Sequence, residues 1–495
     1  MRIRIVKTAS GKSALQVVSK RLGILTIHKH IGSFSNHTEK TILLKKAQDF
    51  IEKSTGQISL VKYAAATSLA DVIVTQNKPL FAYELLSRCY DKIGFNNYPD
   101  ALIKDLVISR LYHPTSKKEL QEDMGELLGR HYSLKTIYRH VKQSLQRGIK
   151  EVFQNALISF ARKDPGDTLQ LVFYDVTTLY FESSVKTTLK DFGFSKDHRS
   201  TDTQIMIGLV VNRKGFPLYF DVFSGKTFEG HTFVTVVKNI QILLNAKKLV
   251  VVADSAMISK DNMDKLDKEN IGFVVGARIA NLPVRLTDYI SGKLHRVDSK
   301  TVFVKIYMGY HLLCEYSSKR AAKDRSDREK QITKAKVIIT SPSKVVSRFK
   351  FVKGTGSTLS LNDELIKKAE KLEGIKGYLT NTKLPKKTII NRYHDLWRIE
   401  NSFRITKNDL EARPIFHRLE ETIKAHMVMV FAGLAIAIYI EQTTGMSIKK
   451  VLKLSNRVLT NTITNTKTGE TVDKETIIQD TKLSQLIEHI RAVGH

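Results

Sequence analysis

Cysteine is scarce in this 495-residue sequence, which has two, Cys89 and Cys314, and no C-x-x-C pair. Two isolated cysteines exclude a disulfide scaffold and zinc-finger sites, and they are typical of a reducing cytoplasm. Residues 1–7 alternate charged with apolar side chains, so no secretory signal is predicted. The apolar stretch from Ala425 to Ile440 is shorter than the roughly 20 residues of a membrane-spanning helix. We therefore expect a buried core helix there and no membrane partner.

Acidic residues are too few to balance the basic ones. Asp and Glu number 49 against 80 Lys and Arg, which gives a net charge of +31. The hydrophobic fraction of 42% is enough for one large core or several smaller ones, so the chain is expected to fold. An excess of positive charge repels itself unless a polyanion neutralises it. Nucleic acid is the commonest such partner, because phosphate contacts release condensed counterions.

Changes in residue pattern divide the chain into six predicted segments, which together give an α+β/α/β protein. They are a β-meander (1–40), a helical DNA-binding region (41–165), the first part of a mixed α/β core (166–284), an insertion that is mostly β with one charged helix (285–375), the second part of the core (376–450) and a C-terminal tail (451–495). The turn sequence at 164–167, Asp-Pro-Gly-Asp, marks the change from helices to strands.

Two helix starts in the second segment predict a pair of helices. Ser116 begins an S-x-x-E capping box, and Ser133 begins a second helix that carries Lys135 and Arg139. One interpretation is a helix-turn-helix whose second helix enters a DNA major groove. The alternative is an ordinary helical pair with a solvated basic face.

Two apolar strands of the third segment are each followed by an aspartate, Asp175 and Asp254. Loops at strand ends are where α/β folds place their sites, so both carboxylates are candidates for chemistry. An aspartate in this position can also be a helix N-cap or a turn residue.

A third carboxylate lies in the predicted helix 388–412. Tyr393, Glu400 and Lys407 are spaced seven residues apart, which places them on one face of a regular helix. Carboxylates bind Mg²⁺, a hard cation, and the phenol and the ammonium suit phosphate groups on either side. This combination favours phosphodiester chemistry, and the alternative is a surface helix with salt bridges.

Residues 393–407, YHDLWRIENSFRITK, resemble the Y-x2-R-x3-E-x6-K signature of the YREK group of DDE transposases from bacterial insertion sequences. Three further motifs resemble the same family in the expected order. They are a first-aspartate motif (174–183), a basic turn (193–199) and a second-aspartate region (252–255 with 273–278). The resemblance covers about residues 165–445, and it does not extend to the N-terminal 165 residues, whose role in binding transposon ends is inferred from charge and position.

The resemblance implies an RNase H-like catalytic core with a mostly β insertion between the second aspartate and the glutamate. It also implies that Asp175, Asp254 and Glu400 are the catalytic residues and hold two Mg²⁺ ions, for which Mn²⁺ would substitute. The expected activity is cleavage of transposon ends and their joining to target DNA by phosphoryl transfer. Terminal inverted repeats and target DNA are the expected partners. A homodimer in the synaptic complex and a location at the bacterial nucleoid are also expected.

The same resemblance predicts the groups that bind DNA. Tyr393 and Lys407 would orient phosphates, while Trp397 would contact a base or pack the helix onto the sheet. The residues expected to grip flanking DNA are Lys196, His198 and Arg199 in the basic turn.

One position departs from the signature, because its arginine falls at Leu396. On a regular helix Arg404 projects about 40° from Glu400, whereas Arg398 projects about 160° away. Arg404 is therefore the predicted substitute, and the alternative is that it pairs with a neighbouring acid.

Two rival functions stay open from the sequence. The first is an RNase H-like nuclease that cuts without joining, and the second is an inactive DNA-binding repressor derived from a transposase. The complete set of carboxylates counts against the repressor, because a protein that only binds DNA does not need them. Terminal inverted repeats and short direct duplications flanking the gene would separate transposase from nuclease.

Overall fold

The computed structural model describes residues 1–494 except 9–10, 22, 56–70, 168, 194–200, 258, 341–348, 355–358, 414, 416 and 477. Its helices are α1 His37–Thr55, α2 Leu80–Ile93, α3 Ala101–Tyr112, α4 Lys117–Leu128, α5 Leu134–Gln146, α6 Ile149–Arg162, α7 Glu229–Leu244, α8 Lys260–Lys268, α9 Val284–Leu294, α10 Ser318–Thr340, α11 Asp363–Lys371, α12 Lys386–His394, α13 Trp397–Arg404, α14 Glu420–Thr444, α15 Ile448–Ser455 and α16 Thr481–Arg491.

The chain divides into two compact units. The first is Met1–Leu85 with Lys450–Ala492, and the second is Leu86–Lys449 with the last residues. Strands occur in both units. They are β1 Arg2–Lys7, β2 Ser13–Arg21, β3 Ile24–Phe34, β4 Val72–Lys78, β5 Leu171–Tyr180, β6 Gln204–Val211, β7 Pro217–Ser224, β8 Leu249–Ala253, β9 Ile271–Ala277, β10 Thr301–Tyr307, β11 Tyr310–Tyr316, β12 Val352–Lys353, β13 Ser360–Leu361, β14 Ile375–Thr380, β15 Thr460–Asn465 and β16 Thr471–Glu475.

The first unit contains two three-stranded antiparallel sheets. In the sheet β1-β2-β3, Leu15 and Val17 are buried and pack with Ala47 of α1. The second sheet, β16-β15-β4, places one strand, β4, within the segment predicted as a helical region (41–165). Residues 72–75, Val-Ile-Val-Thr, are β-branched and favour a strand, and their partner β15 lies almost 400 residues further along the chain. The described residues of the segment predicted as a tail (451–495) therefore form the end of α15, two strands and α16.

The second unit is built on an eight-stranded sheet of order β10-β11-β14-β9-β8-β5-β6-β7. The strands β5, β8 and β9 are parallel, whereas β6 is antiparallel to both β5 and β7. Every residue of β6 is buried, as expected for a strand covered on both faces. The order β7-β6-β5-β8-β9 is consistent with the RNase H-like core that the sequence predicted.

The described residues of the predicted insertion form more helix than strand, so the expectation of a mostly β insertion is wrong. It contributes α9, α10 and α11, with 11, 23 and 9 residues, against the seven-residue strands β10 and β11 and the two-residue strands β12 and β13. Strong helix formers fill α10, and the alternating pattern at 301–316 yields only one strand pair. Both strands of that pair extend the main sheet beside β14.

The long helix α14 is the core of the helical layer and packs against α3, α5 and α6. It is long and apolar enough to cross a membrane, but 89% of its most apolar stretch is buried inside the protein. Phe431 stacks on Phe220 of the sheet with ring centroids 4.3 Å apart. The prediction of a buried core helix is confirmed.

A cluster of buried basic groups lies where α3 and α4 meet α14. His417 and His426 have ring centroids 4.9 Å apart, and both are close to the charges of Arg110 and Lys117. Arg110 donates to the carbonyl oxygens of Thr115 and Glu411, whereas the Nδ1 atom of His426 has no hydrogen-bond partner among the described residues. Burial lowers the pKa of His417 to about 3 and that of Lys117 to about 7.

This cluster predicts loss of stability in acid. Because the pKa of His417 is about 3 when folded and 6.5 when unfolded, the unfolded chain binds more protons between these values. The free energy of unfolding should therefore be highest above pH 6.5 and fall by up to about 1.4 kcal/mol per pH unit for this one group as the pH falls towards 3. Urea unfolding at several pH values should show a shallower decline for His417→Phe than for wild type, and equal slopes would contradict the assignment.

Candidate active site

The two candidate aspartates are brought together by the parallel pairing of β5 and β8. In this register Tyr174 is paired with Ala253, so Asp175 and Asp254 follow side by side. Asp254 comes directly after β8, as predicted. Asp175 does not end its strand, because β5 continues to Tyr180 through its pairing with β6. The aspartate is partly exposed at this edge because β8, and not β5, ends there.

Glu400 reaches the same site from α13, but the predicted single helical stripe is wrong. The helix α12 ends at His394, and a tight turn with the bonds Leu396 N–H to Tyr393 C=O and Arg398 N–H to Asp395 C=O precedes α13. A π-helical turn, Ile405–Asp409, follows α13 and contains Lys407. Both irregular turns change the number of residues per turn, so a spacing of seven no longer keeps one face.

Described residues of β5, β9, β14, α10, α12 and α13, together with Asp254 after β8, line one pocket of about 430 Å³ at this edge of the sheet. It contains all three predicted carboxylates and one of the predicted phosphate-orienting groups. The lining residues that the chemistry uses are Asp175, Asp254, Glu400, Tyr393, Lys376 and Arg320. The sequence prediction of a common site for the carboxylates is thus matched by their positions.

Tyr393 fixes one of the carboxylates. Its Oη donates to Oδ1 of Asp254 at 2.8 Å, and burial together with the charge of Asp254 raises the pKa of the phenol, so it remains a donor. Gly276 on β9 makes this approach possible, because a Cβ atom there would lie 2.4 Å from the Tyr393 Oη. Within the described part of the chain, the second carboxylate oxygen of Asp254 has no hydrogen-bond partner and is open to another ligand.

Two cations of the pocket were missed by the sequence reasoning. Arg320 lies in the first turn of α10, within the insertion, and Lys376 lies on β14, directly after it. Burial and the nearby Arg320 lower the pKa of Lys376, against the opposing effect of Glu315, Asp254 and Glu400. The charge of α10 was a signal for Arg320, but no local pattern marked Lys376, which only sheet pairing brings to the site.

Trp397 lies at the mouth of the pocket with 54% of its surface exposed. The guanidinium of Arg398 stacks on its ring at 5.0 Å from the centroid. Leu396, at the position of the signature arginine, is buried and lines the pocket with an apolar side chain. The indole is therefore available to a ligand, and the Leu396 side chain offers the pocket no charge.

Two further predicted DNA-binding residues, Arg404 and Lys407, do not line the pocket. Arg404 donates to Oδ1 of Asn401 at 2.9 and 3.1 Å and to Asp409 at 3.5 Å, which is the pairing with a neighbouring acid that the sequence left open. Lys407 is in the π-helical turn and outside the pocket lining. The predicted residues Lys196, His198 and Arg199 lie outside the described residues.

The helix pair predicted from its capping residues is present. Ser116 accepts from the Glu119 N–H at the start of α4, and Ser133 accepts from the Thr136 N–H at the start of α5. Ile137 and other apolar residues of α5 face inward, while Lys135 and Arg139 are exposed. The basic face of α5 is thus available to a partner.

The donor set of the pocket fits a hard divalent cation. Asp175, Asp254 and Glu400 supply carboxylate oxygens, the ligands that Mg²⁺ and Mn²⁺ prefer. Within the part of the chain that the structure describes, no three His, Cys, Asp or Glu side chains are close enough to hold a metal ion as they stand. For all three carboxylates to hold one ion, these side chains would have to approach each other, whereas one or two carboxylates with waters or a substrate phosphate also suffice for Mg²⁺.

Comparison with known proteins gives a family and three solved structures. The family model described as Transposase DDE domain matches residues 168–436. The chain is similar to a cryo-EM structure of piggyBac transposase in a synaptic complex with hairpin DNA, with 9% identity and a TM-score of 0.39 over 86% of this chain and 77% of that one.

It is also similar to the Mos1 transposase paired-end complex with left transposon end, with 13% identity and a TM-score of 0.16 over 46% of this chain and 66% of that one. The chain is similar to the Mos1 mariner paired-end complex with Mn as well, with 13% identity and a TM-score of 0.15 over 48% of this chain and 78% of that one. No curated protein matches the sequence. The family match spans more than half of the chain, from before β5 to within α14, and includes all three pocket carboxylates, so the chain belongs to the DDE transposases.

Proposed function

We propose that this protein is a YREK-type DDE transposase that cuts DNA at transposon ends and joins those ends to target DNA. The observation that carries the proposal is the convergence of Asp175, Asp254 and Glu400 on one pocket inside the family-matched region. A net charge of +31 supports a DNA partner.

Two phosphoryl transfers make up the proposed reaction. In the first, a water oxygen bonds to the scissile phosphorus, the P–O3′ bond breaks, and the proton lost by the water balances the one gained by the departing 3′-hydroxyl. In the second, that 3′-hydroxyl attacks a target phosphorus and displaces a target 3′-oxygen, which gains the proton that the attacking hydroxyl loses. Each transfer forms one P–O bond and breaks another, so no external energy source is required.

The chain's own residues hold the reacting groups. Asp175, Asp254 and Glu400 would bind two Mg²⁺ ions, or Mn²⁺ in their place, which supply an activated nucleophile and stabilise the leaving oxygen. Tyr393 keeps Asp254 in place through its hydrogen bond. Trp397 at the pocket mouth would stack on a base of the bound end, because an exposed indole offers a flat apolar surface.

Substrate recognition is proposed for the basic face of α5, which carries Lys135 and Arg139. Joining two ends in one event requires two copies of the site, so a homodimer in the synaptic complex is part of the proposal. The expected place of action is the bacterial nucleoid in the cytoplasm.

The proposal is tested with DNA duplexes that carry the terminal inverted repeats flanking the gene. In Mg²⁺ the full-length protein should release 3′-hydroxyl ends at the repeat boundary and insert them into a target plasmid. Cutting without insertion would instead support the nuclease, and tight binding without cutting would support the repressor. The intact carboxylate pocket favours the transposase and the nuclease over the repressor.

Replacing Tyr393 with Phe tests the support given to Asp254. A hydrogen bond to a carboxylate contributes about 1.5 kcal/mol, so its loss should slow cleavage roughly tenfold. The affinity for DNA should be unchanged. Tyr219→Phe is the matched control, because the Tyr219 Oη also donates to a carboxylate, that of Asp221 at 3.2 Å, but outside the pocket. Equal cleavage rates for the two variants would show that Tyr393 has no such role.

A further inference from the structure

We infer that Lys376, assisted by Arg320, binds the phosphate of the cut DNA strand in place of the arginine that the family signature has at Leu396. The inference rests on the proposed function and deepens it by naming the group that neutralises the substrate. Arg320 lies within the insertion and Lys376 directly follows it, so the inference also gives the insertion a part in the active site.

A cation is expected beside the substrate phosphate, because the family signature has an arginine at the position that Leu396 occupies in this chain. The pocket itself is lined by three carboxylates, whose charge the proposed divalent ions would offset. Leu396 lines the same pocket but is apolar and buried. Arg404, the substitute predicted by helical geometry, is turned to Asn401 and Asp409 and does not line the pocket. Among the described residues that line the pocket, the lysine and arginine side chains are those of Lys376 and Arg320.

Lys376 is held in place by aromatic rings. Its Nζ lies 4.5 Å from the ring centroid of Tyr393 and 5.9 Å from that of Tyr378, and the two rings are 4.9 Å apart. Tyr378 in turn donates to Glu315. A long, flexible side chain is thereby restrained beside the tyrosine that holds Asp254, and this preorganisation is what a phosphate-binding group requires.

The ammonium is not neutralised by the carboxylates that it faces. Within the described part of the chain, no carboxylate oxygen lies within 4.0 Å of the Lys376 Nζ, although Asp254 and Glu400 are near enough to influence its charge. A phosphate between the ammonium and the carboxylates would contact Lys376 on one side. It would contact the ions held by the carboxylates on the other.

Arg320 approaches from the first turn of α10. Its Nε pairs with Asp324 at 3.5 Å on the same helix, and the side chain is exposed. A planar guanidinium can keep this ion pair and still donate to a phosphate through its other nitrogens. Lys323 lies on the same helix outside the pocket lining, and it serves as the matched control.

Single-turnover cleavage of duplexes carrying the terminal repeats tests the inference. We expect Lys376→Gln to cleave roughly a hundredfold more slowly, as for removal of one preorganised donor, and Arg320→Gln roughly tenfold more slowly. Lys376→Arg should recover most of the rate because the charge is restored. Lys323→Gln should cleave like wild type. Affinity for the duplex should change less than threefold in all four variants, because other contacts dominate binding.

A second measurement separates a phosphate contact from a structural role. Methylphosphonate substitution removes the charge of one phosphate at a time along the cut strand. One methylphosphonate next to the scissile bond should slow cleavage by the wild-type protein. The same methylphosphonate should leave the cleavage rate of Lys376→Gln equal to its rate on unmodified DNA. Thermal unfolding reports whether the variants fold. If Lys376→Gln does not fold, Lys376→Met replaces it, because methionine is a neutral side chain of similar length.

Three outcomes would overturn the inference. They are wild-type cleavage by Lys376→Gln or Lys376→Met, no recovery in Lys376→Arg, and equal slowing of wild type and variant by every methylphosphonate. Failure of the wild-type protein to cut any repeat-bearing duplex would be a different result, since it would contradict the proposed function as well.

Discussion

Full-length Asp254→Asn should lose cleavage of repeat-bearing DNA by at least about a thousandfold in Mg²⁺ while it still binds the duplex. Asparagine has nearly the same shape and can still accept the hydrogen bond from Tyr393, but it lacks the charge that holds a divalent ion. Asp175→Asn and Glu400→Gln should behave alike, because the three side chains line one pocket.

The matched control for the carboxylates is Asp261→Asn. This residue is exposed on α8 and pairs with Lys265 at 2.6 Å, outside the pocket lining. Cleavage is measured by gel assay under single-turnover conditions, and binding by fluorescence anisotropy. Near wild-type cleavage by Asp254→Asn would falsify its assignment, and equal loss in Asp261→Asn would point to a general effect of charge.

The double substitution Lys135→Ala with Arg139→Ala should weaken binding to the terminal repeats roughly thirtyfold at 0.15 M salt. The slope of log affinity against log salt concentration should decrease by the equivalent of about two phosphate contacts. Both side chains are exposed on α5, whose inner face stays buried through Ile137 and Val141. At saturating protein, the cleavage rate of bound DNA should remain that of wild type, because the pocket is unchanged.

The control is the double substitution Lys247→Ala with Lys248→Ala, which removes the same two positive charges. Both residues are exposed in the turn that leads to β8. Affinity is measured between 0.05 and 0.3 M salt. If both double variants lose the same affinity, α5 has no special role and the helix-turn-helix interpretation is wrong.

These measurements need the full chain. The helices α3, α5 and α6 pack against α14, which begins at Glu420. A fragment ending near residue 165 would expose that apolar surface to water and would leave β4 without its partner β15. Loss of DNA binding in such a fragment would therefore reflect unfolding as well as recognition.

The local signals in the sequence were reliable where neighbouring residues decide the structure. Ser116 and Ser133 begin the helices that their capping patterns predicted, because an N-cap bonds to a backbone N–H three residues ahead. The apolar run at 425–440 became the buried helix α14. Local rules failed at the irregular turns around α13, since one tight turn and one π-helical turn are enough to destroy a seven-residue stripe.

The sequence by itself determined that this is a basic, folded chain with the motifs of a DDE transposase, because charge, composition and short motifs need no knowledge of distant contacts. Only the tertiary structure decided which groups share a pocket. The pairing of β5 with β8 placed Asp175 beside Asp254, and the pairing of β14 with β9 and β11 brought Lys376 next to Tyr393. Such neighbours are set by strand register between residues far apart in the chain, which no local pattern encodes.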